Sequence, residues 1–205
     1  MANTQSAFGF RWHGIYGDQA PPTSGLIQMK ITAGNTNVFG EGDPLKLLAS
    51  GYVDAFTNST TASVLAGVFK SVEYYSSAFG RRVWSNYFPG SGVTGDALVS
   101  VMPCVGSIAP RFLVASTGAT PVTASNLFQN ADILSGTQTG TYSGGFYKST
   151  CSLDLVANFA TTNTKPWRIV QLFSDIGAPG ANGTDNSTAY NWVLVEPNNA
   201  ALGGV

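Results

Sequence analysis

One histidine, His13, and two cysteines, Cys104 and Cys151, are the side chains of this 205-residue sequence best suited to nucleophilic or metal chemistry. A serine or cysteine hydrolase needs an imidazole base, so any such triad would have to use His13. His13 follows Trp12 in an aromatic N-terminal segment, and no Gly-x-Ser-x-Gly elbow accompanies it. An incidental residue is the favoured reading. A lone imidazole and two thiols far apart in sequence offer too few ligands for a zinc cage. The eleven acidic residues are spread thinly, and their spacing singles out no acid–base pair for glycoside hydrolysis. Glu41 and Asp43 in FGEGDP (39–44) read as turn chemistry, with Pro44 opening a strand. Asp175 and Asp185 bracket a polar loop, 174–189, whose spacing fails the calcium-loop pattern. Glycine motifs that cradle phosphates or dinucleotides are absent from the sequence. No catalytic residue, metal or cofactor is expected, which favours a binding or structural protein over an enzyme.

Composition narrows the partner. Charged residues make up 10% of the chain, against about 25% in an average soluble domain. The net charge is −1, and the ten Lys and Arg are scattered, with Arg81-Arg82 the only adjacent pair. Nucleic-acid binding is not expected, because a phosphate backbone calls for a clustered basic footprint. A hydrophobic fraction of 43% with twelve Phe argues for a packed core rather than disorder. No apolar run is long enough to span a bilayer, so no membrane partner is expected. MANTQSAFGF lacks a basic region followed by an apolar one, so secretion is not expected. Cys104 and Cys151 read as two reduced, buried thiols of a protein made in cytoplasm rather than as a disulfide. The Asn58, Asn182 and Asn186 triplets read as chance matches to a glycosylation signal in an Asn/Ser/Thr-rich chain. A surface with so few charges is easiest to understand if much of it ends against another protein.

The elements that must position these residues are strands. In LIQMKIT (26–32), Ile27, Met29 and Ile31 alternate with Gln28, Lys30 and Thr32. CSLDLVA (151–157) alternates in the same way, while ALVSVMPCV (97–105) and YNWVLVE (190–196) are apolar on both faces in part, as central strands are. GYVDAF, AGVFKSV, RFLVA and WRIVQLF complete the set, separated by Gly, Pro, Asn and Ser clusters. The pattern predicts an all-β fold, an antiparallel β-sandwich or barrel of about ten short strands with long loops. SNLFQNADIL (125–134) is the best helix candidate and reads equally well as a loop leading to a strand. Residues 1–25 form an extended N-terminal arm or a first strand, and residues 26–205 a single β domain.

VWSNYFPGSG (83–92) concentrates Trp84, Tyr87 and Phe88 before a breaker. If it were one strand, Trp84, Asn86 and Phe88 would share a face, and composition favours that face as a plug in the core. The functional reading is an aromatic anchor for another subunit, flanked by Arg81 and Arg82 as contacts for carboxylates.

AGVFKSVEYY (66–75), WSNYFPGSG (84–92) and LVSVMP (98–103) together resemble a family of tailed-bacteriophage capsid decoration, or cement, proteins. SAFGFRWHG (6–14), GEGDPLKLLASGYVDAF (40–56), KPWRIVQLF (165–173) and NWVLVEPNN (191–199) are similar to other portions of that family, so the likeness runs along most of the chain. CVGSIAPRF (104–112) departs from it, being neutral to basic where the family tends to be acidic, and the loop 174–189 is long. The resemblance implies a structural virion protein, made in the host cytoplasm, that binds the exterior of an icosahedral capsid and stabilises contacts between major capsid protein subunits. It implies a homo-oligomer, a trimer in preference to a dimer, and no catalytic residues. Candidate capsid or subunit contacts are Phe8, Phe10 and Trp12, as anchors on an arm, with Arg81, Arg82, Trp84, Tyr87 and Phe88 at the aromatic run. The alternative is a carbohydrate-binding β-sandwich in a tail or receptor-binding component.

Overall fold

The computed structural model describes residues 3, 7–15, 25–56, 64–104, 110–118, 120–134, 141–143, 146–154, 159–162, 164–173 and 185–200. Among them are sixteen strands and one 3-10 turn, so the protein is all-β, with more strands than the sequence pattern predicts. The first nine are β1 (Arg11–Ile15), β2 (Ile27–Ile31), β3 (Phe39–Gly40), β4 (Pro44–Leu47), β5 (Val53–Ala55), β6 (Val64–Ser76), β7 (Arg81–Ser85), β8 (Tyr87–Phe88) and β9 (Val93–Pro103). The remainder are β10 (Pro110–Thr117), β11 (Asn130–Ile133), β12 (Thr141–Ser143), β13 (Phe146–Lys148), β14 (Leu153–Asp154), β15 (Trp167–Leu172) and β16 (Trp192–Pro197). The helix candidate resolves into a 3-10 turn at Ala124–Asn126 followed by β11. No helix among the described residues is long and apolar enough to cross a membrane.

The strands fall into two main sheets. In one, β10 pairs with β14, β14 with β11, β11 with β15, β15 with β16, and β16 again with β10, so the pairings close into a ring. All are antiparallel except β10–β14, and β1 adds antiparallel to β10. The other sheet has the order β2-β9-β6-β4-β5, with β7 pairing β6 beyond the end of β4. Two small ribbons, β3–β8 and β12–β13, complete the set.

Each sheet has its own interior. Inside the ring lie Phe10, Phe112, Val114, Ile133, Leu153, Trp167, Ile169, Val193 and Val195, among others. The second interior holds Ile31, Phe39, Leu45, Val53, Phe69, Val72, Phe88, Val99 and Val101. The 13-residue β6 serves both, giving Leu65 and Val68 to the first and Ala66, Phe69, Val72 and Tyr74 to the second. Its register shifts near Leu65–Gly67 and after Phe69 rotate the strand and make this division feasible. Glycine is required at Gly67, where a Cβ would come 2.3 Å from the Met102 carbonyl oxygen.

Alternation behaves as expected where one face is wet. In β2, Gln28 and Lys30 are exposed while Ile31 is buried. In CSLDLVA it fails: Cys151, Ser152, Leu153 and Asp154 are all buried, because this stretch is enclosed on both faces. Among the described residues four ion pairs are seen; Lys46–Asp54 at 3.8 Å is directly opposed across strands, and Arg111–Glu196 at 2.9 Å joins β10 to β16.

Candidate functional site

The run VWSNYFPGSG divides at Asn86, which bends the chain between β7 and β8. That bend resets the alternation, so Trp84 and Phe88 do not share a face. Phe88 goes into the second interior, stacked on Phe39 at 5.3 Å between ring centroids. Tyr87 is half-buried and stacks parallel to Tyr147 at 6.2 Å. Trp84 is 71% exposed, so the core plug favoured for it by composition is corrected to a solvent-facing ring.

Trp84 is not alone. Strands β6 and β7 form a hairpin whose turn carries Phe79 at 69% exposure, and Tyr75 on β6 is also exposed. Tyr75 sits opposite Arg82, and Glu73 opposite Trp84. Arg82 reaches diagonally to Glu73 at 3.3 Å, and the Arg81 guanidinium lies 6.0 Å from the Phe79 ring centroid. The hairpin is held in shape by its own bonds. The Tyr75 hydroxyl donates to the Gly80 carbonyl at 2.7 Å, the Gly80 N–H to the Ser76 carbonyl at 2.9 Å, and the Ser77 N–H to the Gly92 carbonyl at 2.9 Å. Among the described residues β7 pairs only with β6, which leaves its outer edge open. Three exposed aromatics and an arginine without an acidic partner among the described residues thus stand on a preorganised edge.

The N-terminal candidates lie elsewhere. Phe10 is buried and stacks on Trp167 at 4.4 Å, and Phe8 packs edge-on against Trp192 at 4.9 Å. Trp12 is half-buried and meets Phe112 edge-on at 5.8 Å. All three rings pack against other rings of this chain, and β1 is hydrogen-bonded to β10, so residues 11–15 form a first strand of this chain's own sheet. His13 neighbours Phe173 edge-on at 6.3 Å. Among the described residues no cluster of three or more His, Cys, Asp or Glu could hold a metal ion. Asp175, Asn58 and Asn182 lie outside the described residues. Asp185 closes a local turn, accepting from the Ser187 N–H at 2.9 Å and hydroxyl at 2.5 Å, and these bonds lower its pKa.

A buried carboxylate that sequence reasoning took for turn chemistry proves to be a tertiary latch. Gly40 to Asp43 do form a turn and Pro44 does open β4. The Asp43 carboxylate is buried, however, and accepts from the Gly40 N–H at 2.9 Å, the Tyr147 hydroxyl at 2.5 Å and the Ser149 hydroxyl. Burial pushes its pKa up, against the pull of the bonds from Ser149, Tyr147 and Gly40. Cys151 lies beside it; burial raises that thiol's pKa, and the nearby Asp43 charge adds to the effect. Cys104 is raised by burial alone, and neither cysteine is in a disulfide.

Above the latch opens a cleft of roughly 510 Å³ between the N-terminal segment, the second sheet at Lys70 and Met102, and the β13 ribbon, with Tyr147 and Ser149 in its wall. Nearby, Gly9, with φ +76°, crosses so close to Ser149 that a Cβ would come 2.5 Å from the Ser149 hydroxyl oxygen.

Comparison with family models, with curated proteins and with solved structures finds no match.

Proposed function

We propose that this chain is a structural virion protein that binds the outer surface of an icosahedral phage capsid and stabilises contacts between major capsid protein subunits, with the β6–β7 hairpin as its docking face. The observation that carries the reading is the exposure of Trp84 and Phe79, at 71% and 69%, beside Arg81 on a hairpin fixed by its own hydrogen bonds. Large aromatics and arginine are the residue types that dominate binding energy at interfaces. A hairpin that is already ordered forfeits little entropy on docking. The resemblance along most of the sequence supports the same reading, as does a surface with few ions to desolvate.

The mechanism is linkage. A protein that binds an assembled lattice and not its loose subunits stabilises the lattice by its binding free energy. Many copies on one shell multiply a modest contribution from each, and a homo-oligomer reaches several capsid subunits at once. The N-terminal rings are engaged within the chain, so the hairpin rather than residues 1–16 is the contact we favour.

Mixing purified chain with expanded, undecorated capsids and sedimenting the particles tests this. Wild type should co-sediment and raise the temperature at which the shells rupture. Phe79→Ala/Trp84→Ala should lose both effects while melting normally. Unchanged binding by that variant, or retention of wild type by a glycan array and not by capsids, would overturn the assignment; the latter outcome would favour a carbohydrate-binding module.

A further inference from the structure

We propose that the cleft beneath β1 is a binding site for an organic carboxylate carried on an aromatic or apolar body. The volume, roughly 510 Å³, falls within the range of about 300–1,000 Å³ common for small-ligand sites. Phe8, Trp12 and Met102 supply apolar wall. Three of the chain's ten cationic side chains, Arg11, Lys70 and Lys148, line the same space, against one acid, Glu41. Lys70 pairs with Glu41. Arg11 and Lys148 form no ion pair among the described residues, which leaves two cations on the cleft wall unpaired in a chain whose net charge is −1.

The chemistry follows from that pairing of charge and wall. Arg11 is held with its guanidinium 4.8 Å from the Phe8 ring centroid, so its planar fork is restrained before any ligand arrives. A carboxylate meeting Arg11 and Lys148 forms charge-assisted hydrogen bonds. Apolar walls beside it lower the local dielectric and strengthen those bonds. A bare inorganic anion would leave the aromatic wall unused, and a neutral apolar ligand would leave both cations unmatched. The carboxylate can come from a free small molecule or from a side chain or terminus of a partner polypeptide, since both present the same group.

The test measures binding of 3-phenylpropionate and 3-phenylpropionamide to the full chain by titration calorimetry. A capped peptide containing Asp next to Phe serves as the polypeptide arm. The acid should bind about tenfold or more tightly than the amide, the size expected for a charged hydrogen bond. Arg11→Gln/Lys148→Gln, which alters two exposed side chains, should lose that preference with an unchanged melting temperature. Trp84→Ala, outside the cleft, should bind like wild type. Binding of the phenylpropionate alone identifies a small-molecule site, and binding of the peptide alone identifies a partner-chain site; either supports the proposal. Equal binding of acid and amide, full binding by Arg11→Gln/Lys148→Gln, or no binding by any probe at millimolar concentration overturns it.

Discussion

Replacing Asp43 by alanine should destabilise the protein by about 3 kcal/mol. The substitution strips the acceptor from three buried N–H and O–H donors, the Gly40 N–H and the Tyr147 and Ser149 hydroxyls, and from the weakly donating Cys151 thiol. A buried donor left unpaired costs about 1–3 kcal/mol. Three at the low end give about 3 kcal/mol, because the variant also avoids burying a carboxylate, which offsets part of the loss. For a chain of this size the melting temperature should fall by about 6–12 °C. Urea denaturation followed by tryptophan fluorescence reads the free energy directly. Asp43→Asn separates bonding from charge: its amide oxygen can accept from Gly40 and Tyr147 while its NH2 donates to Ser149. It should retain most of the stability at neutral pH.

The pH dependence carries a definite sign. Burial raises the pKa of Asp43 above the 3.8 of an unperturbed aspartate. The native state therefore holds this proton more tightly than the unfolded chain does. The stability contributed by the protonated form is fully present below pH 3.8 and is lost as pH rises through the native pKa. Wild type should accordingly lose ground to Asp43→Asn as pH increases across that window. A loss below about 0.5 kcal/mol for Asp43→Ala, or wild type gaining on Asp43→Asn with rising pH, would refute the latch.

Further outcomes follow from the packing. Phe10→Ala should cost about 3–5 kcal/mol in denaturant melts, since its ring is buried on Trp167, and deletion of residues 1–16 should abolish a cooperative transition. Trp84→Ala should change stability by less than about 0.5 kcal/mol, as an exposed side chain does; a large drop in melting temperature would return Trp84 to the core. Gly67→Ala should destabilise by about 1–3 kcal/mol, because its Cβ would collide with the Met102 carbonyl. Cys104 and Cys151, whose thiols burial holds protonated, should resist a thiol-specific reagent in the native state and react in urea; rapid labelling of folded protein would contradict their burial.

Local pattern carried the long strands. LIQMKIT alternates because β2 has one wet face, and β9 reads apolar on both because it lies between β2 and β6. The two-residue strands β3, β8 and β14 are too short for any periodicity to mark them, hence the underestimated strand number. Trp84 was misplaced because one bend at Asn86 inverts the faces of everything after it, and a bend at Asn leaves no periodic trace. Phe79 was overlooked, although an aromatic in the turn SSAFGRR between two strands has nowhere to be buried. The Asp43 latch was illegible for another reason: its partners Tyr147 and Ser149 lie more than a hundred positions away, and FGEGDP alone reads as a complete turn. The cleft shares that cause, since Arg11, Lys70 and Lys148 meet only through tertiary structure.

β6 is a party wall. Because Leu65 and Val68 face one chamber while Phe69 and Val72 face the other, neither chamber can be closed without it. The two sheets should accordingly melt together. A cut at 105–109 would release an N-terminal piece with β6 whose Leu65 and Val68 lie bare, and a C-terminal ring lacking the cover they give. Neither piece should fold alone, yet the two co-expressed should reassemble, each supplying the face the other lacks.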